Sequence, residues 1–121
     1  MIARVKYVRM YADDDGHARF EDLAFALAPR DFAPPAPPLN VSEPVDASAF
    51  MMLQSPAGWT DAAHPAPARQ FMIVLAGSLD VTAGGETRRL STGDVLLVED
   101  TSGYGHGSTV LEDLTMAVVR L

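Results

Sequence analysis

Three glycine-centred turn signals cut the middle of this chain into short pieces. They are Gly77-Ser78, Ala83-Gly84-Gly85 and Ser91-Thr92-Gly93-Asp94. The apolar runs between them are too short for helices, which need roughly ten residues or more, and suit strands bounded by turns. Arg69 to Leu75 reads as a strong strand, Leu79 to Thr82 and Glu86 to Leu90 as a hairpin, and Val95 to Val98 as a strand buried on both faces. Ala49 to Gln54 precedes them and Leu114 to Leu121 closes the sequence. Strands this short cannot bury an apolar face alone, so the pattern predicts a sandwich or barrel.

The first 47 residues read differently. Residues 3–11 mix β-branched, aromatic and basic side chains and suit a strand. Asp13-Asp14-Asp15-Gly16 is a turn, because aspartates bond their own backbone and glycine accepts positive φ. It lacks the later glutamate of a calcium loop. Ala18 to Leu27 alternates at Leu23, Phe25 and Leu27, which favours a strand, although its alanines would tolerate helix. Pro29 to Leu39 carries five prolines, which cannot donate to a central ladder. The segment is expected to be extended and ordered, anchored on the barrel or a neighbouring subunit by Phe32 and Leu39. With 121 residues in all, neither half makes a comfortable separate domain. The expectation is one domain over 1–121: N-terminal strands and arm over 1–47, barrel core over 48–121.

Composition excludes several functions. Nine basic residues face sixteen acidic ones, and only Arg88-Arg89 are adjacent. Nucleic acid and anionic membrane surfaces need clustered cations and are not expected partners. No apolar run is long enough to span a bilayer as a helix. Met1 to Lys6 lacks the pattern of a signal peptide, so a cytoplasmic location is expected. The absence of cysteine removes disulfides, thiolate ligands and cysteine nucleophiles.

Two runs carry the chemistry. Gly58 is followed by five residues, then His64, Pro65 and Ala66; Gln70 and Gly77 come later at fixed intervals. The second run passes from Gly93-Asp94-Val95 to His106. In spacing, the first resembles the first motif of the cupins, with Ala66 where a second histidine is usual and Gln70 where a glutamate is usual. The second resembles the other cupin motif, with Glu99 and Thr101 at its proline and glycine positions and His106 two residues late. The resemblance covers about 48–121. It implies an all-β cupin barrel (a double-stranded β-helix, or jelly roll) around a site for a small organic molecule.

It also implies a set of site residues. His64, Gln70 and His106 are the candidate ligands for one divalent transition metal (Zn, Fe, Ni or Mn), with the alternative that the site holds none. All three are neutral donors, so Asp61, Glu99 or Asp100 would have to fold inward to supply a carboxylate. His64 and His106 are the candidate acid and base of a metal-free reaction. Alternation puts Gln70, Met72 and Val74 on the pocket face with Phe71, Ile73 and Leu75 opposite. Gln70, Met72, Trp59 and Tyr104 are candidate ligand contacts, Trp59 as a pocket-mouth wall, and Tyr104 and Glu99 are candidate helpers. Arg69 is expected on the outer face, and Arg88 and Arg89 on a solvated hairpin face. Three functions stand open: a metal-dependent dioxygenase, isomerase or lyase, a non-catalytic ligand-binding or sensor barrel, and a metal-free acid/base enzyme using His64 and His106. A homodimer is the expected assembly.

Overall fold

A computed structural model describes residues 4–121. Ala3, the expected start of the first strand, lies outside them, as do the first three residues of the Met1 to Lys6 segment. Among the described residues nine strands form: β1 (Arg4–Ala12), β2 (Ala18–Ala26), β3 (Ala28–Arg30), β4 (Leu39–Val41), β5 (Ala49–Ser55), β6 (Gln70–Ala83), β7 (Glu86–Ser91), β8 (Val95–Val98) and β9 (His106–Arg120). No helix occurs among the described residues. The main sheet runs β2-β1-β8-β6-β9-β5, with β7 joined to the far half of β6. The N-terminal hairpin therefore extends the sheet, with β1 parallel to β8 and antiparallel to β2.

Two long strands, β6 and β9, make the sheet wrap. The near half of β6 pairs with β8, the far half pairs with β7, and both halves pair with β9. Gly77-Ser78 is a bulge within β6, not the turn its composition suggests. The register slips between Val74 and Leu79, and the inward set changes from Gln70, Met72 and Val74 to Leu79 and Val81. Even positions give way to odd ones, so both halves of one strand face the same cavity. Gly77 has φ near +85°, and a Cβ there would lie 2.1 Å from the Asp113 carbonyl oxygen, so no side chain fits. The closing strand is also longer than its apolar tail suggests. It begins at His106 because its polar first half is paired on both sides.

Pairing of β3 with β4 turns the proline-rich segment into a small hairpin. Phe32 is 67% exposed and Leu39 53% exposed, so neither anchors it on the barrel as expected. The core instead gathers side chains from the inner faces of the wrapped sheet, including Met10, Val74, Val81, Leu96, Val98 and Met116.

Candidate functional site

The wrapped sheet encloses a cavity of about 320 Å3. Its floor is apolar, built from Val74, Leu79, Val81, Leu96, Val98 and Met116; its polar wall carries Asp61, His64, Gln70 and His106, with Ser55 and Trp59 toward β5. Predominantly apolar lining with few converging polar groups is the usual make-up of a small-molecule site.

The two histidines meet through the backbone. The loop from Gly58 to Ala66 runs antiparallel beside the first half of β9. Its Asp61 N–H donates to the Ser108 carbonyl, and His64 and His106 exchange both backbone hydrogen bonds at 3.0 Å. The imidazoles lie with centroids 5.3 Å apart. Gly105 permits this approach: its φ is near +75°, and a Cβ would stand 2.0 Å from the His64 carbonyl group. The glycine-rich loop before His106 thus lets a histidine two positions late still reach the site.

Each histidine is held by an aspartate. His106 Nδ1 lies 2.6 Å from Asp100 Oδ2, and Asp100 is fully buried with its Oδ1 unpartnered. With Nδ1–H donated to Asp100, the neutral form of the ring carries its lone pair on Nε2, which has no protein partner among the described residues. His64 differs. Its Nδ1 is 2.9 Å from the Pro65 carbonyl oxygen and its Nε2 is 2.6 Å from Asp61 Oδ2. Both partners are oxygen acceptors, so the arrangement is fully satisfied by the protonated ring. The Pro65 carbonyl, then Asp61, holds its pKa above the ordinary imidazole value against the opposing effect of burial. Asp61 is fixed in turn by the Ser108 N–H, which donates to its Oδ1 at 2.7 Å.

These bonds bear on the metal that the sequence motifs suggest. A histidine ligates through a free lone pair, and both His64 ring nitrogens are engaged by oxygen partners. Gln70 Oε1 accepts from Arg120 Nε at 3.2 Å. His106 Nε2 alone, of the three candidate ligands, is uncommitted. Among the described residues no group of three or more histidine, cysteine, aspartate or glutamate side chains is placed to hold a metal ion. The donor set does not fit a tight metal centre in this arrangement.

The remaining candidates divide between the cavity and the surface. Met72 and Trp59 line the cavity, Trp59 being 46% exposed at its edge. Tyr104 does not line it; it stacks on His17 with centroids 5.0 Å apart and is largely exposed. Glu99 faces away and binds Arg9 and Arg69. Burial works to raise its pKa, but hydrogen bonds from Arg69 and Arg9 outweigh that and hold it below the ordinary carboxylate value. Arg89 is on the solvated side as expected, whereas Arg88 is about seven-tenths covered, clamping Asp22 of β2 and lying over the Phe20 ring. Ser55 was not a sequence candidate. Its buried hydroxyl has no partner among the described residues, and nothing but its strand position could have singled it out.

A family model described as "Cupin domain" matches residues 50–120. The chain belongs to the cupin-domain family. Among solved structures, this cupin is similar to a conserved Streptococcus pyogenes protein of unknown function at 18% identity and TM-score 0.52, covering 66% of this chain and 68% of that one. It is also similar to a cupin-2 domain containing protein from Shewanella frigidimarina at 16% identity and TM-score 0.51, covering 77% and 78%. At these identities the likeness is one of fold. Comparison with curated proteins gives no significant match. No helix among the described residues is long and apolar enough to cross a membrane.

Proposed function

We propose that this cupin binds a small, largely apolar organic molecule inside its barrel without a metal, with His106 Nε2 as the principal polar contact. The observation that carries this reading is the commitment of both His64 ring nitrogens to oxygen acceptors. What remains to meet a ligand is one lone pair on His106, the Gln70 amide N–H group and the Ser55 hydroxyl. Such a wall suits a head group with an acidic hydrogen toward His106 and an acceptor oxygen toward Gln70, as in a carbonyl compound with a neighbouring O–H or C–H.

The buried Asp100 behind His106 favours a catalytic version of the same site. A carboxylate on Nδ1–H fixes the tautomer and stabilises the imidazolium formed when Nε2 takes a proton. The same His106 Nε2–H can return that proton to a neighbouring atom of the bound molecule. Proton transfer on the bound molecule, an isomerisation, then needs no metal.

A thermal-shift screen of small carbonyl and hydroxy compounds against the wild type and His106→Gln tests the reading. A compound that raises the wild-type melting temperature but not that of H106Q is expected. A stabilising response to Zn, Ni, Fe or Mn alone, with none to any organic compound, would overturn it.

A further inference from the structure

The N-terminal hairpin reaches past the barrel it joins. β1 pairs with β8 only from Val8 to Met10, and β8 starts at Val95. Arg4 to Lys6, with Ala24 to Ala26 opposite them on β2, therefore overhang the end of β8. Alternation turns Arg4 and Lys6 to the same side as Val8 and the buried Met10. That side looks across to β7, where Arg88 reaches over to hold Asp22 through Nη1 at 2.8 Å and Nη2 at 3.2 Å. Between the overhang and β7 lies a second hollow of about 880 Å3. Its rim carries Arg4, Lys6, Arg88 and Arg89, and its apolar wall includes Val8, Ala24, Leu90 and Val95. Leu90 also lines the barrel cavity, so it stands between the two spaces.

Four of the nine basic residues of a chain with net charge −7 thus face one hollow, against two carboxylates, Asp22 and Asp94. Both carboxylates are engaged. Asp22 is held by Arg88, which together with the more distant Lys6 keeps its pKa below the ordinary carboxylate value. Asp94 accepts the Ser91 N–H at 2.8 Å. The cations are engaged only in part. Arg88 commits all three nitrogens to Glu86 and Asp22. Arg89 gives Nε and Nη2 to Asp80, which leaves Nη1 free on a side chain 67% exposed. Arg4 and Lys6 make no hydrogen bond or close ion pair among the described residues, whereas six of the eight arginines have a carboxylate partner.

Like charges around a concave, partly apolar wall focus a positive potential into it. Four cations against two carboxylates leave a surplus of two positive charges. The free donors come from three side chains on two walls: the Arg4 fork, the Lys6 ammonium and Arg89 Nη1. A carboxylate offers two oxygens and one charge, whereas a phosphate ester offers three oxygens and close to two charges. We propose that the hollow binds a small phosphate monoester, its head group on Arg4, Lys6 and Arg89 and its organic part on Ala24, Leu90 and Val95. The site is separate from the barrel cavity and makes no use of His106.

Titration with phenyl phosphate and with inorganic phosphate, followed by amide NMR shifts at constant ionic strength, tests the proposal. Saturable shifts at Lys6, Ala24, Arg89 and Leu90 are expected, with phenyl phosphate about threefold tighter or more because its ring covers apolar wall. Arg4→Gln/Lys6→Gln removes charge from side chains that make no fold contact, and is expected to weaken binding about tenfold or more. Arg30→Gln and His106→Gln are expected to bind as wild type does. Equal binding by R4Q/K6Q, or shifts that do not saturate, would overturn the proposal. Equal affinity for the two phosphates would also overturn it, as the mark of an adventitious ion only, and so would loss of binding in H106Q with shifts at the barrel cavity.

Discussion

At the scale of single residues, the site is governed by which nitrogen is free. The Pro65 carbonyl and Asp61 favour the protonated form of His64, and Asp100 holds the Nδ1 side of His106 so that Nε2 faces the cavity. The His64 pair contributes to stability in a definite pH window. Its folded pKa is raised, so the contribution is complete below the ordinary imidazole value near 6.5 and is lost as pH rises through the folded value. With the imidazole half exposed, the contribution is at most about 1 kcal/mol. In Asp61→Asn the imidazole titration followed by NMR is expected to fall toward 6.5, and the loss of stability above that pH to flatten. An unchanged titration would mean that the pair does not form in solution. Asp100→Asn is expected to weaken binding of any ligand found by screening about tenfold, because Nε2 is no longer held as the acceptor. Equal affinity in the two proteins would remove His106 from the ligand.

At the scale of elements, much of the order was legible and the irregularities were not. The alternation of Gln70, Met72 and Val74 placed them correctly on the cavity face, because period two follows from strand geometry alone. Gly77 read as a turn because glycine marks both turns and bulges, and only pairing with β9 separates the two. His106 sat two positions late by spacing, and what brings it in is the close approach at Gly105, a tertiary fact. The inward reach of Asp61 and Asp100 was open for the same reason: loops carry no periodicity that aims a side chain. Two substitutions test these roles. Gly77→Ala is expected to cost roughly 2–4 kcal/mol, from positive-φ strain and the clash with Asp113, seen as a melting temperature lower by on the order of 10 °C. Gly105→Ala is expected to leave the barrel folded but unseat the His64 loop, returning the His64 titration toward the ordinary value. Native titration in G105A would show that the close approach is not what positions the loop.

At the scale of the whole molecule, one wrapped sheet has two apolar sides. The inner side makes the cavity, and the outer side carries the exposed Phe50 and Met52. β5 belongs to both, with Ser55 lining the cavity and Phe50 and Met52 exposed on the other side. If the two sides are coupled, a Phe50→Glu/Met52→Glu variant binds ligand more weakly than wild type although it changes no cavity-lining residue. Titration calorimetry of both proteins checks this, and identical affinities would make the two sides of β5 independent.

The central claim is that the polar wall is a pair of histidine–aspartate contacts and not a metal centre. Nitrogen-15 NMR of the imidazole rings, recorded before and after stoichiometric Zn or Ni is added to protein purified without chelators, tests it directly. The account predicts that His64 keeps two protonated ring nitrogens and that His106 keeps its proton on Nδ1, with no tightly bound ion. Ring nitrogens of both histidines shifting together to metal-bound positions, at one ion per chain, would contradict it.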